Sequence, residues 1–137
     1  KMVDTNKQAL AVQAVNISQQ DYGIYALFSL PLGDITLDQL IEEMDEEIIK
    51  IQTDLISKRA FQKIQNQFEN RYVNSNSSVV GIAGSLASYH VMYGDTNLIN
   101  SEIDIYRSVT REEIRSVANK YLNNNQRLIL EYLPKKK

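Results

Sequence analysis

"SVTREEIRSVANKYLNNNQRLILEYLP", residues 108–134, sets two kinds of pattern back to back. Thr110 followed by Glu113 is a capping box. The threonine side chain can accept from the N3 backbone N–H while the glutamate reaches back to the cap N–H. Ile114, Val117, Ala118, Tyr121 and Leu122 then recur at helical spacing, and "NNN" (123–125) ends the helix. "QRLILEYLP" (126–134) is a short apolar run that predicts a strand, stopped by Pro134, which cannot donate to a ladder. A capped helix that hands over to a returning strand points to strands and helices segregated along the chain, the arrangement of an α+β domain.

Upstream, "ALAVQAVNI" (9–17) and "YGIYALFSL" (22–30) flank the polar "SQQD" (18–21), which predicts a β-hairpin. Leu10, Val12, Ala14 and Asn16 share one face of the first strand; Ala11, Gln13, Val15 and Ile17 share the other. Both faces are largely apolar, so at least one is expected to be covered. "PLGD" (31–34) ends the second strand, and Thr36 with Gln39 forms another capping box. Leu37, Leu40, Ile41, Met44, Ile48, Ile51 and Leu55 keep helical spacing, with Glu42, Glu43, Glu46 and Lys50 opposite. Ser57 is a candidate N-cap for a second helix with the stripe Phe61, Ile64, Phe68 and Tyr72, broken by "VNSNSS" (73–78). A third helix follows in "SVVGIAGSLASYHVMYG" (78–94), with Gly94 placed to end it. Its internal glycines, Gly81 and Gly84, make sense where another backbone approaches closely. A shorter helix is expected over 97–107. The predicted fold class is α+β, an antiparallel or mixed sheet with helices packed on one face, and residues 1–137 form a single, partial domain.

Composition narrows the function. The 137 residues suffice for one domain, and 43% hydrophobic residues support a core. Fifteen Lys and Arg against 17 Asp and Glu give a net charge of −2, which argues against a dedicated nucleic-acid binder. The lysines at 135–137 form a solvated tail. There is no cysteine, which excludes disulfides, cysteine-based zinc sites and thiol nucleophiles but does not fix the compartment. No apolar run approaches the roughly 20 residues of a membrane span. The opening "KMVDTNKQ" (1–8) does not read as a natural start, so the expectation is a fragment with any targeting segment upstream.

His90 is the single histidine. A histidine metal site needs further His, Cys or clustered carboxylates at matched spacing. The helical neighbours of His90 are Leu86, Ala87, Tyr93 and Gly94, none of them a ligand. Ser85 and Ser88 lie near it without a strained nucleophile elbow around them. A structural role for His90 follows. The acidic run "EEMDEE" (42–47) lacks the alternate oxygen spacing and turn glycine of a calcium loop and reads as a solvated helix face. "GIAG" (81–84) lacks the polar centre of a phosphate-meeting loop and reads as a packing site. Tyr89, Tyr93, Tyr106 and Tyr121 fit a core edge with the hydroxyl in water, or the lining of a peptide chamber. No catalytic, cofactor-binding or metal-binding residue is assigned in the chain.

The order of these pieces resembles a known family. "LFSLPLGD" (27–34) leads to "TLDQLIEEMDEEIIKIQTDLISKRAFQKIQNQFENRY" (36–72), then to "SSVVGIAGSLASYHVMYGD" (77–95) and "IDIYRSVTREEIRSVANKYLNNNQRLILEYLP" (103–134). This resembles the second part of a domain of the insulinase/pitrilysin-type zinc metallopeptidases, nearest the members similar to mitochondrial processing peptidase. The resemblance implies homologous α+β domains, of which the active one carries His-x-x-Glu-His. There, two histidines and a downstream glutamate bind zinc and the motif glutamate activates water. This chain, with one histidine, carries no such motif, so the resemblance implies the non-catalytic C-terminal domain, with zinc held by a partner domain. It also implies strands and a helix ahead of residue 9. Where some members place a substrate-contacting arginine and tyrosine, this chain has Val3 and Leu10, and those roles do not carry over.

Two function classes follow. In one, the chain is a wall of a substrate chamber that holds peptide for hydrolysis by a catalytic domain in the same polypeptide or another subunit. In the other, it is a non-enzymatic α+β assembly module. The expected setting is the periplasm or cell envelope of a bacterium.

Overall fold

The structure, a computed structural model, describes residues 2–133. Two strands and five helices follow in the order β1 (Ala9–Ser18), β2 (Gly23–Pro31), α1 (Leu37–Thr53), α2 (Lys58–Ser75), α3 (Val79–Tyr93), α4 (Leu98–Ser108) and α5 (Arg111–Tyr121). The predicted α+β class holds, with the strands forming a two-stranded antiparallel hairpin. The described chain divides into two units. One comprises residues 2–17, 24–54 and 115–133; the other comprises Ser18–Gly23 and Leu55–Ile114.

The hairpin is closed at one end by Gln19 N–H donating to Tyr22 O (2.8 Å) and at the other by Leu32 N–H donating to Gln8 O (3.1 Å). Between those bonds lie the ten residues of β1 and the nine of β2. Gln20 and Asp21 form the two-residue turn, and neither has the positive φ of the primed turns that match strand twist. The expectation that one face of β1 is covered is not met. Along β1 only Ala9 is buried and only Val15 half-buried, while Leu10 and Ile17 stay exposed.

The core of the first unit sits at the open end of the hairpin. Met2, Ala9 and Leu40 are buried together, with Val3 and Met44 packed against them. Burying a leucine such as Leu40 contributes about 2 kcal/mol. The N-terminal turn is folded back by Met2 O, which accepts from Gln8 N–H (2.9 Å) and Ala9 N–H (3.3 Å), with Lys7 in the left-handed region at φ 52°. α1 starts where the sequence places it: Thr36 accepts from Gln39 N–H (3.2 Å) and Gln39 Oε1 accepts from Thr36 N–H (3.0 Å). It ends at Thr53, two residues short of the end of the predicted stripe, so Leu55 falls in the connection. Gln52 ties its last turn to α5, donating to Leu122 O (2.6 Å) and Ala118 O (3.3 Å). Asn119 answers by donating to Gln52 O (2.8 Å).

In the second unit α2, α3 and α4 pack against one another. Ser57 caps α2 by accepting from Ala60 N–H (3.2 Å). α2 runs to Ser75, through the first part of the stretch read as a polar break, because Val73, Asn74 and Ser75 carry on the helix before Asn76 ends it. Ser78 then caps α3 by accepting from Gly81 N–H, and Gly94 ends α3 in the left-handed conformation (φ 69°). A Cβ on Gly81 would stand 1.9 Å from Ser75 O, so the close approach expected at the α3 glycines is real there. At Gly84 it is not, since nothing lies within 4 Å. Thr110 and Glu113 close the second predicted capping box.

The predicted strand over 126–134 is absent from the described residues. Asn124–Gln126 form a single 3-10 turn, and residues 127–133 take no regular secondary structure and have no ladder partner among the described residues. Strand residues become a strand only when a second backbone accepts and donates to them, and none of the described chain does so here. Pro134 and the lysines at 135–137 lie outside the described residues.

Candidate functional site

His90 lies in the last turn of α3 with its side chain exposed, and its carbonyl accepts from Gly94 N–H (3.0 Å) to end the helix. Among the described residues no three His, Asp or Glu side chains are grouped to hold a metal ion. Zinc of the kind implied by the family resemblance needs several converging nitrogen, sulfur or carboxylate donors. One exposed imidazole without carboxylate neighbours does not fit it, and no step through zinc is assigned to this chain.

The acidic run on α1 is drawn into contacts inside its own unit. Gln8 Nε2 donates to Glu43 Oε1 (2.6 Å), Asp45 takes an ion pair from Arg127, and Lys50 pairs with Glu47 (2.9 Å) and Glu46 (3.7 Å). The Asp45 pair raises the pKa of Arg127, chiefly through its hydrogen bond. Gln8 and Arg127 lie far along the chain, so no local pattern on α1 announces them. A shallow hollow beside the run is lined by Gln8, Ile35, Gln39, Glu42, Glu43 and Glu46. The run is therefore partly an anchor for residues 8 and 127, rather than the uniformly solvated face expected.

Two of the tyrosines also depart from expectation. Tyr89 and Tyr106 both donate to the Glu102 carboxylate, Tyr106 at 3.0 Å, so neither hydroxyl is simply left to water. Burial raises the pKa of Tyr106, with the Glu102 hydrogen bond adding to it. Tyr106 stacks on Phe68 (centroids 4.9 Å apart), Arg71 lies over the Phe68 ring, and Tyr72 donates to Ile99 O. On the flank of the same unit Arg107 Nε donates to Glu69 (2.7 Å), a bond that holds the Glu69 carboxyl below its usual range. This network ties α2, α3 and α4 together. Tyr93 and Tyr121 remain exposed.

Val3 packs in the small core and Leu10 is exposed on β1; neither offers a charge or a hydroxyl to a substrate. What the first unit does present is apolar strand surface. Leu10, Ile24, Phe28 and Leu30 are exposed on the hairpin, each strand has one edge without a partner among the described residues, and Leu128, Leu130 and Tyr132 are 82%, 66% and 86% exposed. Such a surface takes an added strand through backbone hydrogen bonds, with pockets for alternate side chains. The hairpin half of it was legible from the apolar strands; the exposure at 128–133 was hidden by the expectation of a finished strand. No helix among the described residues is long and apolar enough to cross a membrane.

No family model matches the sequence, and no curated protein matches it. Solved structures do. A protease from Helicobacter pylori superposes with a TM-score of 0.83 at 20% identity, over 92% of this chain and 30% of that one. A Bordetella parapertussis protein described as the inactive peptidase domain of a zinc protease superposes with a TM-score of 0.80 at 19% identity, over 96% and 70%. The periplasmic protease PqqL from Escherichia coli gives 0.70 at 18% identity, over 88% and 14%. This chain has the α+β fold of those protease domains and spans under a third of the Helicobacter pylori chain.

Proposed function

We propose that this chain is a non-catalytic domain of a zinc-dependent endopeptidase. It forms part of the substrate chamber and holds peptide for hydrolysis by a catalytic domain in the same polypeptide or a neighbouring subunit. The observation that carries this is the superposition of 96% of the chain on an inactive peptidase domain. A sequence with one histidine and no cysteine, a poor donor set for zinc, agrees with it. The unpaired hairpin edges support holding peptide as an added strand, a mode that tolerates varied side chains. The bacterial origin of the similar structures, one of them periplasmic, supports the bacterial periplasm or cell envelope as the setting.

The test uses the whole protein that contains this chain, together with any partner subunit. Deleting residues 2–133 should abolish peptide hydrolysis while the zinc content of the catalytic domain is retained. His90→Ala should leave hydrolysis within about twofold, because an exposed imidazole outside the reacting atoms contributes little to rate. The chain by itself should hold no stoichiometric zinc. Tight zinc on the isolated chain, or full hydrolysis without it, would overturn the proposal. A parent and neighbours that all lack a zinc-bearing domain would favour the assembly module instead.

A further inference from the structure

We draw no further inference here: the strongest candidate, the exposed apolar surface patch of the β1–β2 hairpin and the unpaired stretch Leu128–Leu133, is an unpartnered face, and nothing in the structure shows what covers it.

Discussion

Gly81 and Gly84 look alike in the sequence and are opposites in the structure. At Gly81 an added methyl would meet the carbonyl oxygen of Ser75, a backbone atom that cannot swing aside. Gly81→Ala should therefore destabilise by about 1–3 kcal/mol, the usual range for overpacking. Gly84→Ala opens onto free space and should stabilise by about 0.5–1 kcal/mol, the helix-propensity difference. Urea denaturation of the two variants checks this pair, and equal shifts in one direction would contradict it. Glu113 supplies a second test. Hydrogen bonds from the Thr110 backbone N–H (2.7 Å) and hydroxyl (2.8 Å) lower its pKa. A carboxyl lowered on folding adds stability that is present above its unfolded pKa and is lost as pH falls through the folded value. The Glu113 carboxyl should titrate by NMR below an ordinary glutamate, and Glu113→Gln should flatten the acid side of the stability profile. A midpoint at or above the ordinary value contradicts the capping box.

At the scale of elements, what was legible is what is local. The caps at Thr36, Ser57 and Thr110 each join residues three apart, so the sequence alone displays them. The missing strand at 126–134 fails for the opposite reason: apolar content sets strand propensity, but pairing depends on a backbone elsewhere. The α1–α5 junction depends on Gln52, whose two acceptors lie some seventy residues on. Gln52→Ala should cost about 1–2 kcal/mol, since it leaves the half-buried Leu122 carbonyl short of a partner, while Ala118 O keeps its bond from Leu122 N–H. The expected result is a lower urea midpoint with an unchanged slope; no shift would mean water replaces the amide.

For the molecule as a whole, the four buried hydrophobics among the described residues contrast with a long run of exposed ones. Unpaired, apolar, extended segments seek other strands. The chain expressed alone should self-associate as its concentration rises, and the double variant Leu130→Lys, Tyr132→Lys should shift it towards monomer, as read by light scattering. Unchanged association in that variant would remove residues 128–133 from the contact. The α+β class was readable from the order of apolar strands and capped helices. Of the candidate site, the apolar hairpin was readable and the exposure of residues 128–133 was not. The partnering of Asp45 with Arg127, of Glu43 with Gln8 and of Glu102 with Tyr89 was not readable, since it is made by residues brought together in space.

The Gln20–Asp21 turn carries one more consequence. Turns that nucleate hairpins adopt left-handed backbone, and this one does not. It lies instead at a hollow that Met92 and Tyr93, at the end of α3, help to line. We therefore expect α3 to form before β1 pairs with β2. In pulsed hydrogen exchange during refolding, amides of α3 should gain protection before those of the two strands.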